Sequence, residues 1–282
     1  MQLISTAEAL REQLNLWRRT GDHVALVPTM GNLHGGHLSL ASLAREHAER
    51  VVVSVYVNPT QFAEGEDFDT YPRTVERDKR RLHTVKADIM FTPDTDTMYP
   101  FGVGNATTVS VPVLTDEFCG SSRPGHFDGV TSAVSRLFAL VQPDVAVFGQ
   151  KDFQQQLVIR RMVADLNIPV EIVVAETIRE DDGLALSSRN QYLSEVERDI
   201  APTLFATLHA IAHELQAGKR NFEELERQAS ATLQDAGFEP EYVGIRRAAN
   251  LDLPDRDSDE LVILAAAQLG KARLIDNIIV GI

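Results

Sequence analysis

Runs of apolar, often β-branched residues recur through the first 175 residues of the chain, and segments with helical spacing lie between them. Because these runs are nearly continuous rather than alternating, they predict strands that are covered on both faces of a sheet. The predicted strands are residues 24–27, 51–57, 88–92, 145–148 and 170–174. Strands that alternate with helices predict an α/β fold with a doubly wound parallel sheet.

The predicted helices of this first part show one apolar face each. These helices are predicted at residues 40–47, 130–141 and 153–166. A strand that turns directly into a helix at the carboxyl edge of such a sheet is where nucleotides bind in doubly wound folds.

The pattern changes after about residue 177. Ser194 and Glu197 form a capping-box signature before a helix that we predict to end near Gly218. Asn221 is a candidate cap for a second helix, which we predict to end near Gly237.

Three strand-like runs complete the second part, at residues 242–246, 261–266 and 272–280. A hairpin signal at residues 269–271 joins the last two. We therefore predict a first domain of residues 1–176 and a smaller α+β domain of residues 177–282. The acidic residues 252–260 are predicted to form a solvated loop.

The overall charge and the cysteine count exclude several classes of protein. The chain has 282 residues, a net charge of −14 and one cysteine, Cys119. An acidic balance argues against an extended nucleic-acid surface, because such surfaces neutralise phosphates with basic residues. A single cysteine excludes an intramolecular disulfide and fits a reducing compartment. No uncharged stretch approaches the ~20 residues of a membrane-spanning helix, and the N-terminus lacks a signal-peptide pattern. We therefore expect a cytoplasmic protein without a membrane partner.

The segment at residues 28–37, Pro-Thr-Met-Gly-Asn-Leu-His-Gly-Gly-His, follows the first predicted strand and leads into a helix. Glycines allow the backbone to approach a ligand closely, and a helix N-terminus offers N–H groups to phosphate. His34 and His37 are three residues apart, so both rings share one side of a helical turn and can donate to phosphate. Surface histidines on a turn, or two ligands of a zinc site, are the alternatives.

Two further segments carry groups that suit phosphate. Lys151, with Asp152 beside it, follows a predicted strand, although an isolated pair of this kind is more often a surface ion pair. Residues 186–189, Leu-Ser-Ser-Arg, supply two hydroxyls and a guanidinium, and taken alone they could equally be a turn. Such a loop in the second domain could close over a nucleotide held by the first.

The tetrapeptide at residues 34–37 resembles the HxGH signature of the nucleotidylyltransferase superfamily, which is related to class I aminoacyl-tRNA synthetases. The longer segment at residues 28–37 resembles the pantoate–β-alanine ligase family, and the resemblance covers nearly the whole chain. Gln150 departs from the glutamate that is usual in that family. Further matching blocks are residues 57–62, 71–73, 123–130, 148–155, 186–190 and 274–277.

The resemblance implies a Rossmann-like domain that binds nucleotide and pantoate, and a C-terminal lid domain. It implies that pantoate and Mg-ATP form pantoyl adenylate, which β-alanine then converts to pantothenate. The residues implied to act on the phosphates are His34, His37, Lys151, Ser187, Ser188 and Arg189. The wider ATP site implied is Met30, Gly31, Asn32, Leu33, His34, Gly35, Gly36, His37, Gly149, Gln150, Lys151, Asp152, Ile178, Leu186, Ser187, Ser188 and Arg189.

The resemblance also implies that Gln61 and Gln155 bind pantoate, while Asn58, at the end of a predicted strand, is expected to hold this pocket or a metal-linked phosphate. Asp78 matches an acidic position linked to magnesium in some relatives, but Arg77 breaks the acidic pair there, so we assign no metal ligand. Family analogy implies a homodimer. Two other functions remain open: a nucleotidylyltransferase acting on a phosphate-bearing acceptor, and a non-catalytic nucleotide sensor or tRNA-binding relative.

Overall fold

The computed structural model describes residues 1–63, 65–255 and 258–282. The chain forms two compact units. The first comprises Met1–Gly149 and Gln154–Glu176, and the second comprises Gln150–Phe153 and Thr177–Ile282. A short piece of chain after residue 149 therefore belongs to the second unit, although the segments on either side of it belong to the first.

The first unit contains a six-stranded, fully parallel sheet in the order β1-β4-β3-β2-β5-β6. Its strands are β1 Gln2–Ile4, β2 Val24–Thr29, β3 Arg50–Val55, β4 Ile89–Phe91, β5 Val145–Gly149 and β6 Glu171–Ala175. The order reverses direction between β2 and β5, which is the topological switch point of a doubly wound sheet. The Rossmann-like fold predicted from the sequence is confirmed.

Helices cover both faces of this sheet. They are α1 Ala7–Arg19, α2 Gly35–His47, α3 Val75–Thr84, α4 Thr95–Met98, α5 Cys119–Ser122, α6 His126–Val141 and α7 Phe153–Asp165. Alternate residues of one strand enter opposite cores: Val24 and Leu26 pack with α1, α6 and α7, whereas Ala25 and Val27 pack with α2. This burial on both faces explains why the strands are nearly continuous apolar runs.

In its described residues, the second unit contains a three-stranded antiparallel sheet with three helices. The elements are α8 Glu195–Ile200, α9 Thr203–Gln216, α10 Phe222–Asp235, β7 Glu239–Arg247, β8 Glu260–Leu269 and β9 Ala272–Gly281. The predicted hairpin between β8 and β9 is confirmed, and Gly270 takes a positive φ of 55° there.

The sequence predicted one helix from Ser194 to about Gly218, and this prediction is wrong at one position. The capping box between Ser194 and Glu197 is present, but the helix stops after Ile200 and resumes at Thr203. Pro202 lacks the N–H that would continue the α-helical hydrogen bonds, so the segment divides there. Within the acidic loop predicted at residues 252–260, Asp252 and Asp255 pair with Arg247, while residues 256–257 lie outside the described chain.

Candidate active site

The loop after β2 carries the first set of candidate phosphate-binding residues. Gly31 has a φ of 81°, and a Cβ there would lie 2.9 Å from Cγ1 of Val55, so glycine is required for both conformation and space. Asn32 also has a positive φ, at 49°. The loop therefore leaves β2 by a turn that few other sequences could adopt.

One buried carboxylate holds this loop. Asp78 of α3 is fully buried, and its two oxygens accept hydrogen bonds from the backbone N–H groups of Asn32 and Leu33, each at 2.9 Å. The hydroxyl of Thr74 donates to the same carboxylate at 3.1 Å. Arg81, one turn further along α3, donates to the carbonyl oxygen of Leu33. The start of α3 thus fixes the loop through its main chain.

His34 and His37 cap the helix that follows. Nδ1 of His34 accepts from the N–H of Gly36 at 3.2 Å, and Nδ1 of His37 accepts from the N–H of His34 at 3.3 Å. Because Nδ1 is an acceptor in both neutral rings, the ring proton of each lies on Nε2. The ring centroids are 4.1 Å apart. The structure therefore brings together two imidazole N–H donors at the N-terminus of α2.

The amide of Asn58 holds the turn that carries Gln61. Asn58 is only 1% exposed, and its Nδ2 donates to the carbonyl of Gly129 at 3.1 Å. Its Oδ1 accepts from the hydroxyl of Tyr99 at 2.6 Å and from that of Thr60 at 3.1 Å. A Cβ at Gly129 would lie 2.0 Å from the carbonyl oxygen of Thr60, so glycine lets α6 pack directly on this turn.

The carbonyl of Gln61 is held by two residues of the 123–130 block. Nη2 of Arg123 donates to it at 3.1 Å, and Nδ1 of His126 lies 2.7 Å from it. Arg123 also forms a bidentate ion pair with Glu66, at 2.6 and 2.7 Å. Burial by itself would raise the pKa of the Glu66 carboxyl, but the hydrogen bonds and charge of Arg123 keep it below its ordinary value.

The 123–130 block matches the family in sequence, but the match alone indicates no role for Arg123 or His126. Their partner, Gln61, is more than sixty positions away in the chain. Two neighbouring glutamines of α7, Gln154 and Gln155, also behave differently from each other. Gln154 is buried and bonds to the backbone of Leu114, Glu117 and Cys119.

Gln61 and Gln155 have a different environment from these structural amides. Both side chains are half-buried. Their amide groups make no hydrogen bond with any other part of the chain that the structure describes. They are therefore available to a ligand with hydroxyl or carboxylate groups.

A pocket of about 360 Å³ opens beside Met30 and Gly31, at the carboxyl ends of β2, β3 and β4. Tyr56 contributes to its wall, and burial raises the pKa of the phenol to about 12, so the group remains a neutral donor. Gln61 and Gln155 do not line this pocket.

In the second unit, Lys151 lies on the 3-10 turn Gln150–Asp152. Its side chain is half-buried, and within residues 1–63, 65–255 and 258–282 its ammonium forms no ion pair or hydrogen bond. Asn277 of β9 donates through Nδ2 to the carbonyls of Gln150 and Lys151, both at 2.9 Å. The cation thus stands on a backbone that is fixed from β9.

The Ser187–Arg189 segment begins a second 3-10 turn, Ser188–Tyr192. Oγ of Ser187 caps it by accepting from the N–H of Arg189 at 3.2 Å. The preceding chain is held because the N–H of Leu186 donates to the carbonyl of exposed Ile178 at 2.9 Å. These contacts fix the backbone of the segment that carries Ser187, Ser188 and Arg189.

Two other kinds of feature are absent from the part of the chain that the structure describes. Across those residues, no helix is both long and apolar enough to cross a membrane. Among the same residues, no group of three or more histidine, cysteine, aspartate or glutamate side chains could hold a metal ion.

Comparison with known proteins identifies the family. A family model described as pantoate-beta-alanine ligase matches residues 2–279. Pantothenate synthetase of Thioalkalivibrio sulfidiphilus is 52% identical over 278 residues, 99% of this chain and 97% of that protein. The crystal structure of pantothenate synthetase from Thermus thermophilus is 44% identical, with a TM-score of 0.92 and 99% of both chains covered.

A third similar protein has a structure with ligands. Pantoate-beta-alanine ligase from Francisella tularensis, in complex with beta-gamma ATP and beta-alanine, is 31% identical with a TM-score of 0.79. The match covers 99% of this chain and 97% of that one. The chain therefore belongs to the pantoate–β-alanine ligase family of enzymes, whose members are also called pantothenate synthetases.

Proposed function

We propose that this protein condenses (R)-pantoate with β-alanine, using Mg-ATP, to give pantothenate, AMP and pyrophosphate through a pantoyl-adenylate intermediate. The observation that carries the proposal is the capping arrangement of His34 and His37, which directs both Nδ1 atoms to the backbone and keeps the ring protons on Nε2. Together with the N-terminus of α2, these donors suit a phosphate on which negative charge increases.

In the first step, the pantoate carboxylate attacks the α-phosphorus of ATP, and the bond to the pyrophosphate oxygen breaks. Charge on the phosphate oxygens is stabilised by donors from two segments besides the α2 N-terminus. Each donor contributes about 2–4 kcal/mol at the transition state. His37 supplies a proton to the leaving pyrophosphate. The phosphate donors are His34, His37, Lys151, Ser187, Ser188 and Arg189.

In the second step, the amine of β-alanine attacks the acyl carbon of the adenylate. A C–N bond forms, the bond from the acyl carbon to the AMP oxygen breaks, and the amine loses a proton. Adenylation is needed because a carboxylate oxygen is a poor leaving group, whereas AMP is a good one. Burial of the adenylate protects it from water.

Gln61 and Gln155 bind pantoate through their unused amides, which match its hydroxyl and carboxylate groups. Asn58 serves the same pocket through the turn that carries Gln61, since its own Oδ1 and Nδ2 contact the protein. The carbonyl contacts of Arg123 and His126 fix Gln61 from the other side.

The rest of the ATP site borders the phosphates and the nucleoside. Met30–Leu33 and Gly35–Gly36 lie beside the phosphates, and Gly149, Gln150, Asp152, Ile178 and Leu186 frame adenine and ribose. Magnesium enters as part of the Mg-ATP substrate, with phosphates and water as most of its ligands. The second unit serves as the lid, the protein works in the cytoplasm, and two copies form a homodimer.

The test follows oxygen from pantoate. Pantoate labelled with ¹⁸O in its carboxylate is incubated with the enzyme, Mg-ATP and β-alanine, and the AMP is examined by mass spectrometry. One labelled oxygen in each AMP, with pantothenate formed in equal amount, is the expected result. Unlabelled AMP, or ADP in its place, would exclude the adenylate route.

A further inference from the structure

We propose that Asn277 is a positioning residue for Lys151 in the first chemical step, an inference that rests on the proposed function. Lys151 lies on a turn of only three residues, between β5 and α7. A cation on such a short turn keeps its place only if the turn itself is held. Asn277, more than 120 positions away in the chain, supplies that hold.

The side-chain amide of Asn277 matches the turn in a way that few residues could. Nδ2 has two hydrogens, and the two carbonyls of Gln150 and Lys151 both accept from it at 2.9 Å. Oδ1 accepts from Nε2 of Gln150 at 3.3 Å. Asn277 is only 1% exposed, so water cannot replace these bonds without opening the structure.

Asn277 is itself fixed by its neighbour on β9. Its backbone N–H donates to Oδ1 of Asp276 at 2.8 Å, and Asp276 is 4% exposed. Arg179 binds both oxygens of that carboxylate, at 2.6 and 2.8 Å, and its guanidinium lies 4.0 Å from the ring centroid of Phe205. Such a bidentate pair has one favoured geometry. The support of the Lys151 turn therefore extends through Asp276 and Arg179 to Phe205.

The same guanidinium also holds the start of the chain that leads to the Ser187–Arg189 segment. Nη1 of Arg179 donates to the carbonyl of Gly183 at 3.0 Å. A Cβ at Gly183 would lie 2.4 Å from Cδ1 of Phe205, so this turn packs tightly on the ring. Within the described residues, Arg179 makes no hydrogen bond to the Lys151 turn, whereas Asn277 contacts it directly. Replacing Asn277 should therefore change the position of Lys151 more than that of the Ser187–Arg189 segment.

Loss of the amide leaves two carbonyls of the turn without their donor and lets the turn move. A displacement of about 1 Å in a catalytic group can slow a reaction about 100-fold. Because Lys151 stabilises charge that builds on the phosphates, the change falls on kcat of the first step and leaves the KM for pantoate within about twofold.

A double-mutant cycle tests this role. Pantoate-dependent exchange of pyrophosphate into ATP is measured for the wild type, Asn277→Ala, Lys151→Ala and the double variant, together with thermal unfolding. We expect Asn277→Ala to reduce kcat about 10- to 100-fold when Lys151 is present. When Lys151 is already replaced by alanine, the same substitution should reduce kcat less than about twofold. A merely structural role would give the same factor in both backgrounds and would overturn the proposal.

Matched variants make the result specific. Asn250→Ala removes an exposed asparagine of the same unit and should leave exchange unchanged. Asn277→Ala combined with Gln61→Ala should give multiplied losses, because Gln61 serves pantoate. If Asn277→Ala unfolds, Asn277→Ser keeps a hydroxyl for one carbonyl and takes its place in the cycle. Absence of exchange in folded wild-type protein would refute the proposed function, whereas exchange that depends on Lys151 but not on Asn277 would refute only the positioning role.

Discussion

Each unit holds its candidate phosphate-binding segment with one buried aspartate, but the two do so differently. Asp78 of the first unit accepts directly from two backbone N–H groups of the loop after β2. Asp276 of the second unit, itself paired with Arg179, has no direct bond to the Lys151 turn within the described residues, and acts on it through Asn277. The first loop is therefore fixed at its main-chain donors, and the second at its carbonyls.

The difference matches the groups that each segment offers. The first segment presents a helix N-terminus and two imidazoles, whose positions follow directly from the backbone and from the capping bonds. The second segment presents the long side chain of Lys151, which keeps rotamer freedom even when its backbone is fixed. Replacing Asp78 should consequently alter folding and catalysis together, whereas replacing Asn277 should alter catalysis more selectively.

The largest effect is expected for Asp78→Asn. An amide has only one acceptor oxygen, so its NH₂ group would face the N–H of Asn32 or Leu33 inside the protein. A buried donor left unsatisfied costs about 1–3 kcal/mol, and two contacts are disturbed here. We expect a loss of about 3–5 kcal/mol in the free energy of unfolding, measured by urea denaturation, with exchange activity falling in parallel. Glu76→Gln, an exposed neighbour on α3, is the control. Normal stability in Asp78→Asn would break the comparison.

The next effect separates capping from catalysis at His37. In His37→Asn, an amide oxygen can replace Nδ1 as the acceptor for the N–H of His34, but the Nε2–H is lost. In His37→Gln, the amide nitrogen can reach the Nε2 position. We expect kcat for the first step to fall about 10²–10³-fold in His37→Asn, with unfolding temperature nearly unchanged, and to fall less in His37→Gln. Equal loss in both variants would argue against Nε2–H as the donor.

A smaller effect should follow from Arg123→Ala, which removes one of two contacts to the carbonyl of Gln61. We expect the KM for pantoate to rise about tenfold, equivalent to about 1.4 kcal/mol, while the KM for ATP changes little. Arg161→Ala is the control, since that arginine forms an exposed ion pair with Asp165. A rise in the KM for ATP alone would contradict a role of Arg123 in binding pantoate.

The smallest effect concerns the pH dependence of stability through Glu66. Its pKa is lowered from 4.5 in the folded protein, since the contacts with Arg123 outweigh burial. A carboxylate of this kind contributes stability above its unfolded pKa, and the contribution disappears as pH falls through the folded value. Glu66→Gln should therefore lower stability at neutral pH and flatten its decline in acid. Exposed Glu12→Gln should do neither. If stability falls with decreasing pH equally in the wild type and in Glu66→Gln, this role is contradicted.

Much of the fold could be predicted from local sequence patterns. The elements that could not be predicted depend on contacts between residues far apart in the chain. Continuous apolar runs indicated β2 to β6, because a strand that is buried on both faces needs apolar residues at nearly every position. The three-residue strand β1 pairs only with β4, more than eighty positions away, and left no such mark. The break at Pro202 was a local signal that the periodic pattern on either side obscured.

At the candidate site, the residue types could be interpreted from the sequence, but the partner that each side chain contacts could not be predicted. The family match placed Asn58 with Gln61 and Gln155 at the pantoate pocket, and the structure divides them by their partners. The amide of Asn58 bonds to Gly129 and Tyr99, which are distant in the chain. Asn277 matched the family pattern without a role, because its two carbonyl partners lie on a turn that only the fold brings near.

The most direct measurement is the exchange of labelled pyrophosphate into ATP by the wild-type enzyme in the absence of β-alanine. If the carboxylate of pantoate attacks ATP in a separate first step, exchange should require pantoate and magnesium. Addition of β-alanine should then draw the intermediate on to pantothenate and AMP. Folded protein that shows no exchange with pantoate, or equal exchange without it, would contradict a pantoyl adenylate as the first product.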